Sequence, residues 1–417
     1  MKNTTALVLA GGINLGFSVL THNRAKSALP FCGHFRVIDF VLTNLSRSSI
    51  SGVGILIQYL PGSLIDHVGV GTAWDYATAN RRLKLMPPFI GMGKTEWFRG
   101  SADAIYQNLD YVVDSHSDNV LVLSAYHIYC MDYEPLLAFH HYHNADLTVV
   151  TYTRPHNISP DVFGYVTSDE KGRVTDFQEK PATPPHDTIS TGIYLFNANT
   201  LVDFLKKLDS QGPKHDLPTS VVEPLVREGR VFSFPMENAW DNMPDLRTYV
   251  LYHQRLLRGE HHLHPANRHV LTNLQDRDLG SRPAPYFGRL SHVQDCLVSP
   301  GCVVEGTVIR SVLSPGVHIA PGAHVEDSIL FHDCRVEEGV KLFGVISDKD
   351  VHFHAFCRVG EPGLDPLNPD LRHMTLVGKG ARFTQGVQVG TGKEIQINQV
   401  VHRDWKTYHS RTVSAAV

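Results

Sequence analysis

A block of like charge is the first thing this sequence lacks. Lysine and arginine total 38 against 42 aspartates and glutamates, a formal net charge of −4, and no Lys/Arg-rich run breaks the balance. Nucleic acid and anionic membrane therefore have no long-range electrostatic handle, and any phosphate must be held by a few local groups. Paired cysteines are missing too. Cys32, Cys130, Cys296, Cys302, Cys334 and Cys357 show no CxxC spacing, which suits reduced thiols and argues against a disulfide framework. No apolar run approaches the length of a membrane span, and the opening residues lead into a strand pattern rather than a signal peptide. The expected compartment is the cytoplasm, with no membrane partner.

What is present is ample apolar residue, 42% of the 417, enough to bury a large core in two or more domains. Histidine is plentiful at 25, with clusters at Phe139-His-His-Tyr-His143 and His261-His-Leu-His264. Neither cluster has the His-x₃-His or cysteine-partnered spacing of a zinc site, so solvated surface histidines are expected and no metal site is assigned.

Residues 1–255 alternate β-branched runs with amphipathic stretches. Thr5-Ala-Leu-Val-Leu-Ala, Gly54-Ile-Leu-Ile-Gln-Tyr, Asn119-Val-Leu-Val-Leu and Leu147-Thr-Val-Val-Thr-Tyr read as strands; Arg36 to Leu45 and Ala102 to Val113 read as helices. The alternation predicts a doubly wound, mostly parallel α/β sheet of Rossmann-like type, with ligands beyond the carboxyl ends of its strands. Residues 256–288 read as a polar, proline-containing linker. From 289 to 417 a six-residue period takes over: Leu297, Val303 and Ile309, then Leu313, Ile319, Val325 and Phe331, with Pro-Gly turns between them. That spacing predicts a parallel β-helix, interrupted by a loop over about Gly360 to Asp370.

Leu9-Ala10-Gly11-Gly12, following the first strand, has the layout of a nucleotide-phosphate loop. Taken in order with Arg24-Ala-Lys-Ser-Ala-Leu-Pro-Phe, Trp97-Phe-Arg-Gly-Ser-Ala-Asp, Phe163-Gly-Tyr-Val, Phe177-Gln-Glu-Lys-Pro and Ser190-Thr-Gly-Ile-Tyr, and with the six-residue repeat behind them, the sequence resembles the ADP-glucose pyrophosphorylase (glucose-1-phosphate adenylyltransferase) family over roughly residues 4 to 400. The resemblance implies a sugar-nucleotidyltransferase domain, a left-handed β-helix and a tetramer that makes ADP-glucose for glycogen or starch.

Three charged positions of that family are replaced together. Its loop motif Gly-Gly-x-Gly-Thr-Arg-Leu falls on Gly11-Gly12-Ile13-Asn14-Leu15-Gly16-Phe17, so the arginine that would meet the departing pyrophosphate is Gly16. Its metal-holding aspartate in Gly-Asp-His-Ile-Tyr falls on Tyr126, and a second aspartate falls on Asn242. A neutral phenol and a neutral amide hold Mg²⁺ poorly, and a lost cation clamp removes much of the electrostatic stabilisation of nucleotidyl transfer. Neighbouring acids offer little rescue: Asp241 should point to the opposite side of its strand, and Asp132 should lie in the following helix. No catalytic residue is assigned, and Mg²⁺ is expected as a cofactor only if residual catalysis remains.

The substrate-binding positions are better kept. By resemblance, Glu179, Lys180, Ser190, Gly192 and Gly164 would hold glucose 1-phosphate, while Leu9, Ala10, Gly11, Gly12, Gln58 and Gly100 would line the nucleotide half, with Trp97, Arg99 and Asp103 nearby. Arg24, Lys26 and Arg36 would fall in the anion-binding effector region between the domains, where a lysine common in the family is Asn23. The implied reading is a regulatory-type subunit with impaired catalysis that modulates a competent homologous subunit in a hetero-oligomer. The alternatives are an active homotetrameric adenylyltransferase with altered metal ligands, a sensor of sugar phosphates or nucleotides without catalysis and, last, a β-helix acyltransferase.

Overall fold

The computed structural model describes residues 3–12, 15–88, 97–155, 158–209, 216–260, 264–363, 365, 370–402 and 404. Uninterrupted apolar runs place their strands at the centre of a sheet covered on both faces. Thr4–Leu9 and Asn119–Ser124 are two such strands, and Leu7, Val8, Val120, Leu121, Val122 and Leu123 are fully buried. Nine strands form this sheet. Its parallel half runs from Asn119–Ser124 through Thr4–Leu9 and Gly52–Leu56 to Arg82–Met86. Its other half hinges on the long antiparallel strand Thr188–Asn197, which pairs with Asn119–Ser124, Leu147–Thr153 and Gly164–Ser168. Separate apolar clusters, one around Trp74, Tyr129 and Leu136 and one around Ile105, Leu201 and Val221, cover its faces.

The expected helix from Arg36 to Leu45 is found at Ile38–Arg47. The expected helix from Ala102 to Val113 is instead two short helices, Ser101–Gln107 and Leu109–Asp114, divided at Asn108, whose side chain donates to the Ala104 carbonyl. That side-chain bond competes with the helix ladder, as asparagine does inside helices. Residues of the stretch read as a linker are held in place: the helix Leu246–Leu257 continues into it, and Asp276 is ion-paired to Arg36.

From Tyr286 onward the chain winds through three parallel sheets of seven, six and six short strands, the faces of a left-handed β-helix. Val304, Ile319, Val336, Phe353, Phe383 and Val401 stack in one inward column, with Phe353 on Phe383 at 4.7 Å. The first run of the six-residue repeat is one residue out of phase with the interior. Val304 and Val308 are buried, whereas Val303 and Ile309 are only partly so. Both neighbours are apolar, so sequence periodicity has no means of telling inside from outside there. Phe331 leaves the interior altogether and joins Val312, Ile346 and Met374 in a cluster with Phe17, Leu20, Phe31 and Tyr249 of the first domain. The two units are thus joined by a shared apolar core. Five residues of the segment expected as a loop, 364 and 366–369, lie outside the described residues.

Candidate active site

Beyond the carboxyl ends of the central strands opens a cleft of about 750 Å³. Leu9, Gly11, Gly12, Gln58 and Gly100 line one part of it, and Gly164, Glu179, Lys180, Ser190 and Gly192 another. Ala10, grouped with them from sequence, is buried in the core beneath, its amide donating to the Leu56 carbonyl at 2.9 Å. Tyr126 and Asn242 also line the cleft. They meet because Trp240–Asn242 pairs antiparallel with His127–Tyr129, placing Asn242 opposite His127. Gly16 is the second residue of the 3₁₀ segment Leu15–Thr21; Ile13 and Asn14 lie outside the described residues.

Gln58 clasps the segment before the Ser101 helix in both directions, accepting from the Phe98 amide and donating to the Phe98 carbonyl. Asp103 accepts from the Arg99 amide, and Trp97 is two-thirds exposed. Across the cleft, Lys180 approaches Glu179 at 3.4 Å with its ammonium largely in solvent. Burial is the main reason the Glu179 carboxyl is raised above the usual range, partly countered by Lys180. Gly164 is required by close approach: a methyl group there would lie 2.7 Å from the Phe177 ring and 2.8 Å from the Glu179 carboxylate. Ser190 is engaged internally, donating to the Tyr194 hydroxyl at 3.0 Å and accepting from the Gly192 amide.

The loop end differs in kind. The Gly12 amide, whose place in a phosphate loop is to face an anion, donates to the Tyr126 hydroxyl at 3.1 Å. Burial pushes the Tyr126 phenol up to about 12, against the pull of that amide, so it is neutral at physiological pH. The Lys26 ammonium sits over the Tyr126 ring, 4.8 Å from its centroid, and 5.5 Å from that of Phe17. Lys26, grouped with Arg24 and Arg36 from the resemblance, is thus buried against the cleft residue Tyr126. His127 was quoted in the motif and missed as a cleft residue. Its Nδ1 is buried without a hydrogen-bond partner, and burial, then Lys26, hold its ring down to about 3.

These groups do not fit Mg²⁺. Tyr126 offers no charge, Asn242 offers a neutral amide, and Asp241 turns away to lie 3.7 Å from Arg255. Asp132 precedes the helix Glu134–Tyr142 rather than lying within it, and caps its first turn through the Glu134 amide. Among the described residues that line the cleft, the carboxylates are Glu179 and Asp216.

Burial lowers the Lys26 amine from 10.5 to about 7, with Asp245 opposing. Between these two values the unfolded chain binds a proton that the folded protein does not, so this residue makes stability rise with pH. Lys26→Met is expected to be more stable than the parent below about pH 7, with the gain shrinking to nothing as pH approaches 10.5. Urea unfolding across that range reads it directly; a gain that does not fall with pH refutes the assignment.

Arg24 and Arg36 lie at the junction of the two units, both buried. Each guanidinium meets a carboxylate of this same chain: Arg24 with Asp348 at 2.7 Å, Arg36 with Asp276 at 2.5 Å. His67 spans Asp39 and Asp276 at 2.6 and 2.9 Å. Lys349 is buried beside them, and burial, then Arg36 and Arg24, hold its amine down to about 6. The Nε atoms of Arg24 and Arg36 and the Nδ1 of His332 have no hydrogen-bond partner.

The histidine clusters divide. His140 is buried with Nδ1 on the Thr148 hydroxyl, contrary to the expectation of a solvated residue, while His141 faces Asn119 and His143 stacks on Phe139 and Phe232. His261 and His262 lie outside the described residues.

Comparison with known proteins agrees with this architecture. A nucleotidyl transferase family model matches residues 5–258, and a GlmU-like C-terminal hexapeptide model matches 286–380. The chain is 31% identical to a glucose-1-phosphate adenylyltransferase of Desulfitobacterium hafniense strain Y51 over 403 residues, 95% of this chain and 98% of that one. Similar proteins of that name from Acetivibrio thermocellus and Bacillus thuringiensis strain Al Hakam are 32% and 35% identical, covering 93% and 82% of this chain and 92% and 90% of theirs. No helix among the described residues is long and apolar enough to cross a membrane.

Proposed function

Because the chain belongs to the glucose-1-phosphate adenylyltransferase family, we propose that it is an ADP-glucose pyrophosphorylase-like subunit of glycogen biosynthesis, impaired in its own catalysis, that modulates a competent homologous subunit. The observation that carries this reading is the Gly12–Tyr126 hydrogen bond. A phenol takes up an amide that would otherwise face a phosphate, and it does so at the position where the family reaction needs a carboxylate. With Asn242 neutral and Asp241 directed at Arg255, little charge remains to neutralise a triphosphate as it breaks.

The sugar-phosphate side supports binding without turnover. Lys180 extends a solvated ammonium at the cleft wall, beside Glu179, and in this proposal it holds the phosphate of glucose 1-phosphate. Arg24 and Arg36 form the effector region, where an anion must compete with Asp348 and Asp276 for the same guanidiniums. Modulation of a partner in a cytoplasmic hetero-tetramer then requires states of this chain that differ in contact energy with that partner.

Two measurements test the proposal. The chain alone should release little pyrophosphate from ATP and glucose 1-phosphate in the presence of Mg²⁺, yet should change the rate or effector response of a competent homologue when mixed with it. Rapid turnover by the chain alone, or no effect on a homologue that binds it, refutes the reading. Calorimetry should show glucose 1-phosphate binding that Lys180→Ala weakens about 10- to 100-fold, the loss typical of a hydrogen bond to a charged group.

A further inference from the structure

The cluster formed by Glu337, His352 and His354 lies on the outside of the β-helix, away from the cleft. The strand His352–Phe353 alternates so that Phe353 enters the interior against Phe383, leaving the residues on either side of it, His352 and His354, to face outward. Glu337 comes from the preceding coil, its amide bonded to the Phe353 carbonyl. His352 Nε2 lies 2.6 Å and His354 Nδ1 3.2 Å from the same oxygen of Glu337, Oε1. The other oxygen, Oε2, accepts from the Ala355 amide at 2.9 Å, which fixes the carboxylate plane. The two imidazole rings lie 3.9 Å apart, tilted by 31° to one another.

We propose that Glu337, His352 and His354 form a surface site for a divalent transition-metal ion with a preference for imidazole, such as Zn²⁺ or Ni²⁺. Their ligand atoms lie within 4.8 Å of one another, the one such group of three among the described residues. Two imidazoles and one carboxylate are a facial donor set that leaves positions open for water, and it suits Zn²⁺ and its neighbours rather than the hard, oxygen-preferring Mg²⁺. The Ala355 amide acts as the outer support that metal-binding carboxylates usually have. Arg335 and Arg382 occupy the ladder positions on either side of His352, so the ion must bind against their charge. Elsewhere on the β-helix, His324 with Glu326 brings a single imidazole to its carboxylate, which Arg310 also occupies.

The test is titration of the full chain with Zn²⁺ against a chromophoric chelator, repeated with Ni²⁺. The parent should bind one equivalent more tightly than any other, and H352A, H354A and E337Q should each weaken that equivalent at least about 10-fold, while H324A leaves it unchanged. E337Q keeps an acceptor but not the charge, so it separates ion binding from a hydrogen-bonded cluster. All three side chains face outward, and the thermal unfolding of each metal-free variant should match that of the parent. Equal affinity in parent and variants, or no equivalent that stands out, overturns the proposal. As an independent readout, Zn²⁺ should raise the unfolding temperature of the parent and not of the H352A/H354A double variant.

Discussion

The triple variant Gly16→Arg/Tyr126→Asp/Asn242→Asp should form ADP-glucose at least about 100-fold faster than the parent, the scale on which a single well-placed charge-stabilising group acts in such sites. Each substitution addresses a separate deficit. Tyr126→Asp releases the Gly12 amide from the phenol hydroxyl and supplies an anionic oxygen where the ring now lies. It also places a carboxylate beside Lys26, whose amine should regain the proton that burial now disfavours. Asn242→Asp adds a second carboxylate from the neighbouring strand, opposite His127. Gly16→Arg returns a guanidinium to the loop. Because the three groups act together, Tyr126→Asp alone should yield a far smaller gain. The measurement is pyrophosphate release with ATP, glucose 1-phosphate and Mg²⁺, alongside a melting curve to verify folding. A folded triple variant no faster than its parent would mean that loss of these three groups is not what limits turnover.

A comparably large effect is expected at the junction of the two units. Arg24 and Asp348 are both buried and paired at 2.7 Å, although 324 positions apart in the chain. Asp348→Ala leaves the guanidinium without its counter-ion and should destabilise the protein by about 3–5 kcal/mol. The double variant Arg24→Met/Asp348→Leu removes both charges and keeps apolar volume, so it should recover most of that loss. Urea unfolding followed by tryptophan fluorescence, with Trp405 replaced by Phe, reports on the first domain, where Trp74 and Trp240 are buried, and circular dichroism reports on both units. In Asp348→Ala the two signals should separate as the junction loosens. A single variant as stable as the parent would show that solvent reaches Arg24.

Legibility from sequence followed the range of the interaction. The alternation of β-branched runs and amphipathic stretches located the sheet, because strand and helix periods are local properties. Its antiparallel half was not legible, since pairing direction depends on where Thr188–Asn197 returns in space. The six-residue repeat announced the β-helix but not its phase at Val303 and Val304, where adjacent valines satisfy either side. The resemblance puts Lys26 and Arg24 in one region, and only the packing shows that the Lys26 ammonium meets the Tyr126 ring while the Arg24 guanidinium meets Asp348. The spacing that does bring imidazoles together, His352-Phe-His354, was hidden among 25 histidines because its carboxylate lies in another coil.

The amino-acid sequence by itself determined the two architectures, their order and the neutral character of Gly16, Tyr126 and Asn242, because periodicity and residue identity are written along the chain. Only the tertiary structure decided what surrounds those residues. A phenol closes on the amide of Gly12 from 114 residues away, Asp241 is turned to Arg255, and the arginines of the junction are held by carboxylates of their own chain. Each of these depends on a distance between remote residues, which packing sets and local sequence does not encode.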